Sequence, residues 1–290
     1  MTLWQEYKRP ESISEAVHAL TTTSVPTCLI AGGTDLMLDL QQGRHASIHT
    51  LVDITSIPEL NLLEIRGEDL YIGATVPLSR IAFSPLVIEH ALALSEACSL
   101  IGGPQVRNVA TLGGNVAHAL PAADGTIAMM SLNTEVLVAS RTGIRKVPLQ
   151  EMFLGPGKSA LNAKEEIITG FRIPLKMKNQ ASAFKRIMRA QGIALPIINI
   201  SAWLERRDNK IIELRIATGP SGLTPHRMTL VEDLLKGCNI LLDLKTQALD
   251  TLLDQMQFRT SPQRASADYR HHLVKDLLVD TLMEAWKRAE

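Results

Sequence analysis

Two glycine pairs constrain this chain more than any other feature. The first lies in Leu29-Ile30-Ala31-Gly32-Gly33-Thr34-Asp35, the second in Asn108-Val109-Ala110-Thr111-Leu112-Gly113-Gly114-Asn115. Each follows a short apolar or β-branched run and is flanked by hydroxyl or amide side chains. Without a Cβ, glycine adopts positive φ freely and lets the backbone come close to a ligand. Successive N–H groups in such a turn converge on an anion, and each charge-assisted hydrogen bond is worth roughly 1.5–3 kcal/mol. Two such loops suffice to hold a diphosphate without any lysine or arginine. The plainer reading is a pair of Gly-Gly turns in an ordinary α/β protein.

The chain has 290 residues, enough for one large domain or two of ordinary size. Basic and acidic residues number 30 each, and this balance argues against nucleic acid or an anionic membrane as the main partner. Cys28, Cys98 and Cys238 lie far apart, with neither a CxxC pair nor cluster spacing, which fits a reducing compartment. Met1 to Pro10 is polar, and no apolar run reaches the length of a membrane span. A cytoplasmic globular protein is expected.

Ser12-Ile13-Ser14-Glu15 is a capping-box pattern opening a helix to about Leu20. Thr27 to Ala31 reads as a strand, Leu36 to Leu40 as helix and Leu51 to Ile54 as a buried strand. Hairpins are expected at Leu62–Ile65 with Leu70–Gly73, and at Glu135–Ser140 with Ile144–Val147. Pro85 to Leu100 is mostly apolar and rich in helix formers, Gly125 to Leu132 looks helical, and Ile167 to Ile173 reads as a strand. Composition breaks at Pro174 to Gln180. Beyond it come three β-like runs (Ala183–Met188, Ile197–Glu205, Ile211–Ala217) and then mainly helix. In the last helix, Ser266 to Ala289, one stripe carries Leu273, Val274, Leu277, Leu278, Thr281, Leu282, Ala285 and Trp286, the pattern of a core-facing side. Strands followed by helices point to a separate α+β domain.

Several motifs fail on inspection. The first glycine pair lacks the three-glycine dinucleotide spacing. Gly157-Lys158-Ser159 resembles the end of a P-loop, but Met152 stands where its first glycine belongs. His45 and His49 have no carboxylate between them and read as a solvated loop. No acid–base pair, nucleophile or metal cluster emerges, so no catalytic or metal-binding residue is assigned. A chain without reactive side chains of its own but with two anion-cradling loops is expected to hold a cofactor that carries the chemistry.

Read with their surroundings, the loops resemble the FAD-binding (medium) subunit of the molybdenum hydroxylases, the xanthine dehydrogenase and carbon monoxide dehydrogenase family. The resemblance is carried by Ala31-Gly32-Gly33-Thr34-Asp35, by Ile101-Gly102-Gly103-Pro104-Gln105-Val106-Arg107-Asn108 and by Thr111-Leu112-Gly113-Gly114-Asn115. Pro121-Ala122-Ala123-Asp124, Gly155-Pro156-Gly157-Lys158, Glu165-Glu166-Ile167-Ile168 and Ser182-Ala183-Phe184-Lys185 complete the ordered set. It implies an α/β (α+β) fold. An FAD-binding domain of the PCMH or vanillyl-alcohol-oxidase type would span 1–176, with subdomains of about 1–56 and 57–176. A C-terminal domain of the CO dehydrogenase flavoprotein type would follow at 181–290.

By the same resemblance, Leu29, Ile30, Ala31, Gly32, Gly33, Thr34, Asp35 and Leu36 line the first loop, and Thr111, Leu112, Gly113, Gly114 and Asn115 the second, with the FAD diphosphate between them. Ile101 packs near the flavin or its linker, Asp124 contacts the ribityl or adenosine portion, Ile168 lies against the isoalloxazine and Lys185 approaches its polar edge. Plainer roles stand beside these: a helix N-cap for Asp124, a core strand position for Ile168, a surface charge for Lys185. His118 departs from the small or hydroxyl residues of relatives and stands near the cofactor or has a structural role. The implied partners are a molybdopterin-binding large subunit and a small subunit with [2Fe–2S] clusters, in a heterotrimer or its dimer, with NAD⁺ or another acceptor. A self-sufficient flavin oxidase and a scaffold subunit that has lost flavin are the rival readings.

Overall fold

The computed structural model describes residues 3–189, 195–239, 246–262 and 264–290. Three short parallel strands open the chain: β1 (Glu6–Lys8), β2 (Thr27–Ile30) and β3 (Thr50–Asp53), in the order β1-β3-β2. The helix Ile13–Thr21 crosses over between the first two, started by Ser12, whose Oγ accepts the Glu15 amide at 3.2 Å. Glu15 completes the cap one residue earlier than the usual box, its carboxylate accepting from the Glu11 amide at 2.9 Å. Ala16, Val17 and Leu20 on that helix bury against Val52, Ile54 and Ile57.

A five-stranded antiparallel sheet follows, ordered β4-β5-β10-β6-β7. Its strands are β4 (Leu63–Arg66), β5 (Asp69–Gly73), β6 (Glu135–Ser140), β7 (Gly143–Pro148) and β10 (Ile167–Pro174). Both expected hairpins form. A small hairpin, β8 (Phe153–Gly155) with β9 (Lys158–Ser159), holds the Gly157-Lys158-Ser159 triplet as a plain turn. Between β5 and β6 run six short helices, including Leu92–Leu100, Leu112–Ala117 and Asp124–Ser131.

The apolar stretch from Pro85 does not form one helix. It divides into Pro85–His90 and Leu92–Leu100 at Ala91, whose φ and ψ are −143° and 50°. The break frees the Ala93 amide, which donates to the Ser182 hydroxyl at 3.1 Å, a group on the first strand of the C-terminal sheet. Tertiary pairing here overrides helix propensity.

That sheet is an antiparallel meander of β11 (Gln180–Met188), β12 (Pro196–Arg207), β13 (Lys210–Gly219) and β14 (His226–Arg227). Period-2 alternation sends its side chains into two different cores. Ala183, Ile198, Ile200, Ala202, Leu214 and Ile216 pack against Val274, Leu278, Leu282 and Trp286 of the terminal helix Ala267–Arg288. Phe184, Trp203 and Ala217 join the core beneath the five-stranded sheet instead. The meander is therefore a middle layer with helices on both sides. Polar ties cross the same boundary: Arg288 donates to Glu96 at 2.6 Å, and the Phe184 amide to the other Glu96 oxygen at 2.8 Å. Among the described residues, no helix is long and apolar enough to cross a membrane.

Candidate cofactor-binding site

The first glycine loop leaves β2 at Ile30 and enters the helix Leu36–Gln41. Gly33 holds φ at +66°, a left-handed conformation that costs an L side chain about 1–2 kcal/mol. The amides of Gly32, Gly33, Thr34, Asp35 and Leu36 make no hydrogen bond to another described residue. Asp35 occupies the N-cap position, yet its side chain caps nothing. A run of consecutive N–H groups, half-buried except at the exposed Asp35, is thus left open, the backbone arrangement that receives an anion. Leu29 and Ile30 sit on the strand below it, half-buried, and Ala31 bridges strand and loop.

The second loop is built differently. Thr111 caps the helix Leu112–Ala117, its hydroxyl accepting the Gly114 amide at 3.1 Å. Gly113 donates to the Ala74 carbonyl at 2.9 Å and Asn115 to that of Thr111 at 3.0 Å. Three of its amides are therefore spent inside the protein, so the expected symmetry of two donor loops does not hold. A capped helix start satisfies the donors that an open turn leaves free. The glycines here serve close approach: a Cβ on Gly113 would lie 2.6 Å from the Ala74 carbonyl oxygen, while Gly114 is exposed and presents bare backbone.

The two loops touch. A Cβ on Gly32 would stand 2.0 Å from the Val109 carbonyl oxygen and 2.8 Å from the Cα of Ala110. Asn115, next to the second glycine pair, accepts both the amide and the hydroxyl of Thr126 at 3.1 Å, fixing the loop to the helix Asp124–Ser131. Open donors on one side and a side-chain-free surface on the other make a cradle whose chemistry suits a diphosphate.

The remaining predicted residues flank it. Ile101 ends the helix Leu92–Leu100, half-buried, with its carbonyl accepting from Arg107 Nη1 at 3.0 Å. Ile168 is buried on β10 beside a bulge and belongs to the main core. Lys185 is half-buried on β11, where alternation sets it on the face opposite Arg186. His118 ends the helix Leu112–Ala117, half-buried, its amide bonded to the Gly114 carbonyl at 3.0 Å.

Asp124 is not an N-cap; that position belongs to Ala123. Its buried carboxylate forms an ion pair with Arg186 and accepts from Asn199 Nδ2 at 2.5 Å. Burial pushes the Asp124 carboxyl up to about 6, against the opposing pull of Arg186 and Asn199. Arg186 and Asn199 are not among the predicted site residues, nor is Val109, whose carbonyl meets Gly32. The only available signal was alternation on β11 and β12, which puts Ser182, Phe184 and Arg186 of one strand directly opposite Trp203, Ser201 and Asn199 of the next, all on one face of the sheet.

Comparison with known proteins decides the family. The model of the FAD binding domain in molybdopterin dehydrogenase matches residues 3–176, and that of the CO dehydrogenase flavoprotein C-terminal domain matches residues 182–285. The chain belongs to the molybdopterin dehydrogenase FAD-binding family. Similar proteins include the nicotine 6-hydroxylase medium subunit of Paenarthrobacter nicotinovorans, 32% identical with 97% of each chain covered. The nicotinate dehydrogenase FAD-subunit of Eubacterium barkeri is 30% identical, with 96% of each covered. Among solved structures, carbon monoxide dehydrogenase from Hydrogenophaga pseudoflava superimposes with a TM-score of 0.89 at 27% identity, covering 98% of each chain. The two-domain α+β architecture is that of this family. The protein is accordingly an FAD-binding, electron-transferring oxidoreductase subunit of the molybdenum hydroxylase type.

Proposed function

We propose that this chain is the electron outlet of a heteromeric molybdenum hydroxylase acting on a purine or another N-heterocycle. In this reading a molybdopterin-binding large subunit oxidises the substrate and a small subunit with [2Fe–2S] clusters relays the electrons. They leave through this chain to NAD⁺, in a heterotrimer or its dimer. The similarity to subunits named for nicotine and nicotinate, both N-heterocycles, supports the substrate class. Bound FAD supplies the conversion between single-electron and hydride transfer.

The chain's own part is binding, orientation and electrostatics. Residues 1–176 form the FAD-binding domain and residues 181–290 the C-terminal domain. The amides from Gly32 to Leu36 hold the diphosphate against the exposed backbone of Gly114, while Gly113 packs on Ala74. Ile101 and Ile168 pack beside the flavin, Asp124 lies toward its ribityl or adenosine portion, and Lys185 offers positive charge to the reduced ring. The observation that supports this reading is the contact of Gly32 with Val109, at which the two loops meet.

The test is analysis of the native complex. Near one FAD per chain, molybdenum and iron in co-purifying chains, and anaerobic bleaching by NADH are expected. A colourless chain that takes up no FAD supports the scaffold reading. Flavin without molybdenum partners supports a lone oxidase, and flavin untouched by NADH removes NAD⁺ as acceptor.

A further inference from the structure

Arg186 is 3% exposed in its side chain, as is Asp124, and the two form a buried ion pair across the boundary between the C-terminal sheet and the helices of the N-terminal region. The second arm of the same guanidinium donates to the Leu100 carbonyl and lies 3.1 Å from the Met188 sulfur. Leu100 is the last residue of its helix, so its carbonyl is one of the acceptors that a helix end leaves unmatched. Burying a charge pair is poor value for stability alone, because desolvation offsets the attraction. What the pair provides is geometry.

The two acceptors bracket the stretch from Ile101 to Ala123, which contains the whole second glycine loop. At one end, Arg107 ties the carbonyls of Ile101 and Gly102 at 3.0 and 2.8 Å. At the other, Asp124 opens the helix whose Thr126 is held by Asn115. Asn199 adds a second clasp, donating to Asp124 and, at 3.2 Å, to the Ala122 carbonyl. We infer that Arg186 is a positioning residue for the flavin site. Its planar fork spans Leu100 and Asp124 and sets the separation of the two ends of the segment carrying the second loop. This rests on the assignment of the loops to FAD. A lysine retains the charge but presents a single ammonium, which lacks the fork needed to reach both acceptors in fixed directions.

The experiment compares the full chain with Arg186→Lys and Arg186→Leu, each stripped of flavin and titrated with FAD. The readouts are affinity, the visible flavin spectrum and the melting temperature of the apo-protein. Arg186→Lys is expected to melt as wild type does yet bind FAD about tenfold more weakly, with a shifted flavin spectrum. Arg186→Leu is expected to bind more weakly still; should it fail to fold, the lysine variant decides. Wild-type affinity and spectrum in Arg186→Lys overturn the inference. So does a loss of affinity that merely tracks a fall in apo-protein melting temperature. A wild-type chain that takes up no FAD overturns the cofactor assignment, and this inference with it.

Discussion

The carbonyl oxygen of Val109 occupies the place where a side chain on Gly32 would begin, 2.0 Å from the position of that Cβ. The neighbour is backbone, so it has no rotamer by which to move away. Gly32→Ala is therefore expected to force the two loops apart, costing about 2–3 kcal/mol and releasing FAD. Gly114→Ala meets only the Thr111 hydroxyl, at 3.2 Å, and is expected to keep its stability within about 0.5 kcal/mol. Denaturant midpoints and flavin-to-protein absorbance ratios check both. Full flavin content in Gly32→Ala contradicts the cradle.

Asp53, at the end of β3, gives the N-terminal sheet an acid-sensitive fastening. It accepts from the Tyr7 hydroxyl at 2.7 Å, and from the Thr55 hydroxyl and amide at 2.6 and 2.9 Å. Burial pushes this carboxyl up, but those hydrogen bonds and the charge of Arg9 together hold it below the ordinary range. Its stabilising contribution is thus present above the unfolded value of about 3.9 and is lost as pH falls through the lower folded value. Asp53→Asn is expected to lose about 1–3 kcal/mol near neutrality. Unfolding titrations should show that gap closing below about pH 4, and a gap independent of pH rules the mechanism out.

Asp124 has the opposite sign. With its folded value raised to about 6, the native state keeps a proton that the unfolded chain has already released. The carboxyl's contribution is fully present below its unfolded value of about 3.9 and declines as pH rises to about 6. Equilibrium unfolding of wild type and Asp124→Asn between these limits should show wild type losing ground as pH rises. A relative gain by wild type over that range refutes the direction.

The Cys98 thiol is fully buried, and that burial, reinforced by the nearby Asp124 charge, pushes its ionisation far upward. Alkylation of the native protein followed by peptide mapping is expected to leave Cys98 unmodified until the chain unfolds. Rapid native labelling at this position contradicts the packing described here.

Local chemistry made much of this architecture readable in advance. Ser12 and Ser266 mark their helices, both hairpins follow from alternation and glycine turns, and the terminal-helix stripe is buried from Val274 to Trp286, with Leu273 at its start half-buried against the same core. The break at Ala91 was unreadable because the group that takes up the Ala93 amide there, the Ser182 hydroxyl, is distant in sequence. The same applies to the contact of Gly32 with Val109 and to the pairing of Asp124 with Arg186. The unequal roles of the two glycine loops were hidden for a subtler reason. Thr111 and Ala74 consume amides that the motif alone suggests are free.

Because Phe184, Trp203 and Ala217 complete a core that is otherwise formed by the N-terminal region, the chain is not two modules joined by a tether. Severing it between β10 and β11 would strip apolar walls from both pieces at once. The C-terminal sheet is in effect an internal partition, with one face closing each of the two cores.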